Sequence, residues 1–124
     1  MAPPATVMVV EDDHDIRDSL SVALTDAGYE VVEASNGQIA LERLETAEPG
    51  VILLDLMMPV LNGLEFLVRF RANPRWSNIP VIVASANRGY DASDLGTFAV
   101  LRKPLDLNVL LEAVKSALAR PEAA

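Results

Sequence analysis

Val51-Ile52-Leu53-Leu54-Asp55-Leu56-Met57-Met58-Pro59 runs four apolar residues straight into one aspartate, with Asn62-Gly63 close behind. An unbroken apolar run bounded by turn residues reads as a short strand buried on both faces. The same composition fits a buried helix, but Pro49-Gly50 before it and Pro59 after it favour the strand. Asp55 then stands where the strand leaves the core. An aspartate there is an ordinary turn residue. It is also what open α/β sheets place at the carboxyl end of a central strand, where they do their chemistry. The rest of the chain decides between the two.

Working outward, the apolar β-branched residues 6–10 form a first buried strand that ends on Glu11-Asp12-Asp13. Three consecutive acids are costly unless they are solvated or share a cation. A helix is expected over residues 15–27. Asp13 or His14 sits at its cap, Ile16, Leu20, Ala23, Leu24 and Ala27 share its inner face, and Gly28 stops it. Residues 30–34 are only partly apolar and suit an edge strand. Ser35-Asn36-Gly37 makes a turn, and residues 37–46 form a second helix burying Ile39, Ala40, Leu41 and Leu44. Beyond the Asp55 strand, residues 56–63 form a loop. A third helix over residues 63–71 turns Leu64, Leu67 and Val68 inward, with Phe66 and Phe70 on an adjoining stripe. Residues 79–84 form a fourth strand that ends on Ser85, and residues 98–101 a fifth that ends on Arg102-Lys103-Pro104. Between them at most a short helix fits, near residues 92–95. Asp106 caps a last helix of about twelve residues whose inner stripe is Val109, Leu110, Ala113, Val114, Ala117 and Leu118.

Strand and helix thus alternate five times, the pattern of a doubly wound α/β domain with a parallel sheet between two helical layers. Residues 1–5 read as a lead-in, 6–118 as the domain and 119–124 as a tail. The 124 residues are enough for one domain and too few for two, and at 51% apolar they can build a core. The net charge of −8 argues against a nucleic-acid surface. There is no cysteine, no signal-peptide pattern and no apolar run long enough to span a bilayer. A cytoplasmic, membrane-free protein is expected.

Right-handed crossovers put every strand's carboxyl end on one edge. That edge collects Glu11, Asp12 and Asp13, then Asp55, Ser85 and Lys103. Carboxylates that converge either keep protons or share a cation. With oxygen donors, one histidine and no cysteine, the cation is Mg²⁺ or Mn²⁺ rather than zinc. A carboxylate beside a dication and a lysine is a phosphoryl-acceptor site: the carboxylate is the nucleophile, the cations offset phosphoryl charge, and a Ser85 hydroxyl can bond the attached group. The bland alternatives are a solvated cap for the acidic run, a plain strand end for Ser85 and a surface lysine for Lys103. His14 is assigned no role, Met57 and Met58 read as packing residues, and Trp76 lies in a polar loop without a pattern.

These motifs resemble the receiver domain of two-component response regulators, the chemotaxis regulator type included. The matching residues are Glu11-Asp12-Asp13, Asp55 with Met57-Met58-Pro59 and Gly63, Pro80 through Ser85-Ala86, and Lys103-Pro104, in order across residues 6–118. The resemblance implies a flavodoxin-like sheet of strand order 2-1-3-4-5. It implies that Asp55 is phosphorylated by a sensor histidine kinase or phosphotransfer protein. Asp12, Asp55 and the Met57 backbone carbonyl would hold Mg²⁺, with Glu11 acting through water, Ser85 as the switch hydroxyl and Lys103 as the phosphate contact. The acyl phosphate would bias the loop after the fourth strand and so a distant surface, for an unknown downstream protein. Met57 and Asn87 would flank the path of attacking water. A monomer or weak dimer is expected.

Two positions depart from the family pattern. Val100 stands where an aromatic is usual, three residues before the lysine, with Phe98 two residues off and expected on the same side of the strand. Ser85 and Lys103 are only 18 residues apart, shorter than usual by roughly one helical turn, so the fourth helix is short or irregular and the output face altered. The leading expectation is a stand-alone phosphoacceptor that assists its own phosphotransfer and slow dephosphorylation without being an enzyme in the ordinary sense. A pseudo-receiver that acts by binding alone competes with it. A small phosphatase with an aspartate nucleophile ranks lower, because that chemistry wants a second acid where Met57 stands.

Overall fold

The computed structural model describes residues 4–58, 60–86, 89 and 91–119. Pro59, Asn87, the first residues of the lead-in and 120–124 of the tail lie outside the described residues. Among the described residues the elements are β1 (Thr6–Val10), α1 (His14–Asp26), β2 (Glu30–Ala34), α2 (Gly37–Leu44), β3 (Val51–Asp55), α3 (Gly63–Arg71), β4 (Val81–Ser85), α4 (Ala92–Leu95), β5 (Ala99–Arg102) and α5 (Leu107–Ala119). The strands form one parallel sheet in the order β2-β1-β3-β4-β5. The flavodoxin-like architecture and the edge position of β2 are as expected.

The period of two along the strands divides the core. Met8, Val10, Ile52, Leu54, Val81 and Val83 pack toward α2 and α3, with Phe66, Leu67 and Phe70 beneath them. Val7, Val9, Val51, Leu53, Ile82 and Ala84 pack toward α1 and α5, against Leu20, Leu24, Leu110 and Val114. β3 is buried along its whole length, as an apolar strand covered on both faces must be.

Side chains and short loops fix where the helices begin. Asp13, Asn36 and Asn62 cap α1, α2 and α3 by accepting from the backbone N–H three residues on, and Glu65 completes a capping box on α3. Asp106 Oδ1 accepts from the N–H groups of Asn108 and Val109 at the start of α5, as expected of a cap.

Several boundaries and faces differ from expectation. β4 starts at Val81 and takes in Ser85; β5 spans Ala99–Arg102; α2 ends at Leu44, and α5 runs on through Ala119. On α3 the inward residues are Phe66, Leu67 and Phe70, whereas Val68 is 71% exposed and Leu64 38%. The aromatic rings bury more area than a leucine or valine and take the inner face, stacking on each other with centroids 5.6 Å apart. Ile16, Ala27 and Val109 lie exposed at or just past the ends of their helices, where the stripe overshoots the sheet. Phe98 and Val100 fall on opposite faces: Phe98 precedes β5 and packs with the α1/α5 core, Val100 with the α2/α3 core. Met57 is not a packing residue, being 74% exposed, whereas Met58 is buried. Trp76, uninterpreted from sequence, is buried in the α2/α3 core.

Candidate functional site

The strand order reverses at β1 and β3, and the crevice beyond their carboxyl ends holds the acids. Glu11 follows β1 and its N–H donates to the Ala34 carbonyl at 3.0 Å. Asp55 ends β3. One carboxylate oxygen from each of Glu11, Asp12 and Asp55 lies within 4.8 Å of the others. Glu11 and Asp55 are each only 3% exposed, and Asp12 faces solvent. Asp13, the third acid of the run, turns away to cap α1.

Lys103 enters from the other side. Its Nζ donates to Asp55 Oδ1 at 3.0 Å and to Glu11 Oε1 at 3.3 Å. It reaches them because its backbone N–H is held by the Ser85 carbonyl at 3.1 Å, so the ends of β4 and β5 stay together. Ser85 itself is buried at the end of β4, one residue past the register partner of Asp55. The Met57 N–H donates to Asp55 Oδ1 at 3.2 Å, and the Asp13 N–H to Glu11 Oε2 at 3.3 Å. The carboxylates of Glu11, Asp12 and Asp55 and the Lys103 ammonium thus meet at one edge, with Ser85 ending the neighbouring strand; Asn87 lies outside the described residues.

Burial pushes the Glu11 carboxyl up to about 7; hydrogen bonding with Asp55 and Asp12 and the Asp55 charge add to it, while Lys103 pulls it down. For Lys103, burial lowers the pKa, but the hydrogen bond and charge of Asp55, with those of Glu11, outweigh it and hold the ammonium above its ordinary value. Like charges are therefore crowded here beyond what one lysine neutralises. The donors are hard oxygens without sulfur or imidazole, a set that fits a dication such as Mg²⁺.

Two further residues, the motif glycine Gly63 and Arg17, support the site. A Cβ on Gly63 would lie 2.7 Å from Leu56 Cα and 2.8 Å from the Asp55 carbonyl oxygen, so the α3 start can press on the site loop only as glycine. Arg17 donates through Nη1 to the Glu11 carbonyl at 2.9 Å. In the sequence its only signal is its place one turn into the helix that follows three acids.

The response regulator receiver domain family model matches residues 7–115. This chain belongs to the response regulator receiver family. Among relatives it is 32% identical to response regulator Rre1 of Synechocystis, over 99% of this chain and 55% of that protein. It is 33% identical to the phosphate regulon transcriptional regulatory protein PhoB of Pseudomonas aeruginosa, over 93% of the chain and 52% of that protein. The chain thus spans about half the length of the curated relatives it matches. Among solved structures, the chemotaxis response regulator CheY4 of Vibrio cholerae superposes with a TM-score of 0.83 at 30% identity, covering 93% of this chain and 99% of that one. Receiver domains of this family accept a phosphoryl group on an aspartate from histidine kinases or phosphotransfer proteins and generally bind Mg²⁺. No helix among the described residues is long and apolar enough to cross a membrane.

Proposed function

We propose that this chain is a Mg²⁺-dependent phosphoacceptor whose nucleophile is Asp55 and whose donor is a phosphohistidine on a sensor kinase or phosphotransfer protein. One observation carries the reading: the Asp55 carboxylate lies 3.0 Å from the Lys103 ammonium, in a cluster with the oxygens of Glu11 and Asp12. An Asp55 oxygen attacks phosphorus, the N–P bond breaks, and the imidazole leaves with its electron pair. Lys103 follows the charge onto the phosphoryl oxygens, and the Ser85 hydroxyl bonds the attached group. Asp12, Asp55 and the Met57 carbonyl would hold Mg²⁺, with Glu11 through water. The bound cation would supply further charge neutralisation at those oxygens. Met57, at 74% exposed, and Val60, at 80%, offer a docking protein apolar surface beside the nucleophile.

The chain assists its own phosphorylation and slow dephosphorylation without acting on a separate substrate. Met57 provides no acid–base group for a phosphatase. The reading places the chain in the cytoplasm. Its output goes through protein contacts altered by the one-turn α4 and by Val100.

Intact mass after incubation with acetyl phosphate tests the proposal. One phosphoryl adduct is expected with Mg²⁺, and none in EDTA or in Asp55→Asn. An unmodified native chain, with this donor and with histidine kinases, leaves the binding-only receiver in its place.

A further inference from the structure

Arg17 belongs to none of the family motifs named above, yet it is the one side chain of α1 seen to reach the backbone of the acidic loop. Helical side chains lean toward the N-terminus, so a residue one turn into α1 points back at the loop that precedes it. The carbonyl waiting there needs a donor. β1 pairs with its neighbours only as far as Val10, so the Glu11 carbonyl lies past the ladder. Two N–H groups at the start of α1 are turned elsewhere, Ile16 to Asp13 Oδ1 and Arg17 to the Asp13 carbonyl. A backbone carbonyl at a buried residue left without a donor is costly, and Arg17 Nη1 fills that role at 2.9 Å. The other edge of the guanidinium faces β2, with Nε 3.8 Å from Glu33 Oε1. Glu33 Oε1 is held in turn by the Ser21 hydroxyl at 2.9 Å. The Arg17 side chain is only 17% exposed while Glu33 is 42% exposed, so the bond to the Glu11 carbonyl is the packed contact and the Glu33 pair the looser one.

The bond bears on the cluster through one rigid unit. A peptide group is planar, so fixing the Glu11 oxygen fixes the plane that ends at the Asp12 Cα. Glu11 stands at one end of that peptide and Asp12 at the other. These are two of the three acids proposed to surround the dication.

We infer that Arg17 is a positioning residue for the Mg²⁺ site, which sets the angle at which Glu11 and Asp12 present their oxygens by holding the peptide between them. It touches neither ion nor phosphoryl group. The inference rests on the proposed Mg²⁺-dependent phosphoacceptor function. Groups standing behind the ligands of a metal typically change its affinity ten- to a hundredfold when removed. The side chain therefore sets how much Mg²⁺ the protein needs, and leaves the chemistry of Asp55 and Lys103 as it is once the ion is bound.

Isothermal titration with MgCl₂ tests this on the native chain, Arg17→Ala and Arg17→Lys, each at a temperature where circular dichroism shows it folded. The expected result is a Kd for Mg²⁺ raised about tenfold in Arg17→Ala. At saturating Mg²⁺ the rate of phosphorylation by acetyl phosphate stays within about twofold of native. Arg17→Lys keeps the charge but loses the planar guanidinium whose Nη1 meets the Glu11 carbonyl, and stays close to Arg17→Ala. In EDTA, hydrogen exchange of Arg17→Ala rises in a peptide covering residues 11–13 and not over the rest of α1. An unchanged Mg²⁺ affinity alongside a lower Tm makes Arg17 a merely structural brace and overturns the inference. Full recovery by lysine makes it a bare charge and overturns it too. A native chain that binds no Mg²⁺ overturns both this inference and the proposed Mg²⁺ dependence.

Discussion

Between pH 4.5 and about 7 the buried Glu11 carboxyl keeps its proton in the folded chain, while the same group on the unfolded chain loses it. The folded state then binds more protons, so the stability this group contributes falls as pH rises through that window and levels off above about 7. In EDTA, Glu11→Gln removes the effect. Its stability relative to native is expected to rise by roughly 2–3 kcal/mol between pH 5 and pH 8, read from urea melts at the two values. Mg²⁺ requires the ionised carboxylate, so its affinity for the native chain rises with pH over the same interval. At the neighbouring glycine the constraint is steric. Gly63→Ala puts a methyl 2.7 Å from Leu56 Cα and 2.8 Å from the Asp55 carbonyl. It is expected to cost about 1–3 kcal/mol in denaturant melts and to slow phosphorylation by moving the site loop. The acids and Lys103 were legible in the sequence because parallel strands deliver their carboxyl ends to one edge. The Arg17 bond was not, because it depends on where the β1 ladder stops.

At the scale of elements, Asp13, Gly28 and Asp106 marked helix ends in the sequence, whereas faces were legible only where the apolar stripe was narrow. α3 has apolar residues at 64, 66, 67, 68 and 70, more than half its circumference, so spacing alone did not choose between two inward faces. Ring size did. The short α4 was legible from the 18-residue spacing of Ser85 and Lys103, but not its fastening. Leu95 is its buried residue, and Arg71 of α3 donates to the Leu95 carbonyl where Gly96 closes the turn at φ +65°. One helical turn has little cohesion of its own. Arg71→Ala is therefore expected to raise amide exchange over residues 92–97 about tenfold, with the sheet unchanged; equal rates in the two proteins would show that Leu95 suffices. In the loop after β3, Val60 has φ +70°, a left-handed conformation that a β-branched residue tolerates poorly. It is 80% exposed, so Val60→Asn is expected to stabilise the chain by about 0.5–1 kcal/mol, seen as a higher urea midpoint.

At the scale of the molecule, alternation along five strands sorts the apolar residues into two core layers, and the order of elements alone implies that layering. What it does not convey is which isolated residues the layers recruit. Trp76 lies among polar neighbours with no periodic partner, yet it is buried in the α2/α3 core. Phe98 and Val100 look like one face of a strand, but β5 begins at Ala99 and they divide between the layers. Val100 stands where the family pattern has an aromatic, and α4 is a single turn, the two departures on which the proposed altered output face rests. The whole arrangement serves one claim, that the phosphoryl group goes to Asp55. Borohydride reduction of the acyl phosphate, which converts a phosphorylated aspartate to homoserine, followed by peptide sequencing, tests that claim most directly. Homoserine is expected at position 55 when phosphodonor and Mg²⁺ are both present, and none without Mg²⁺. Homoserine at Asp12 instead, or labelled protein with Asp55 unreduced, would contradict it.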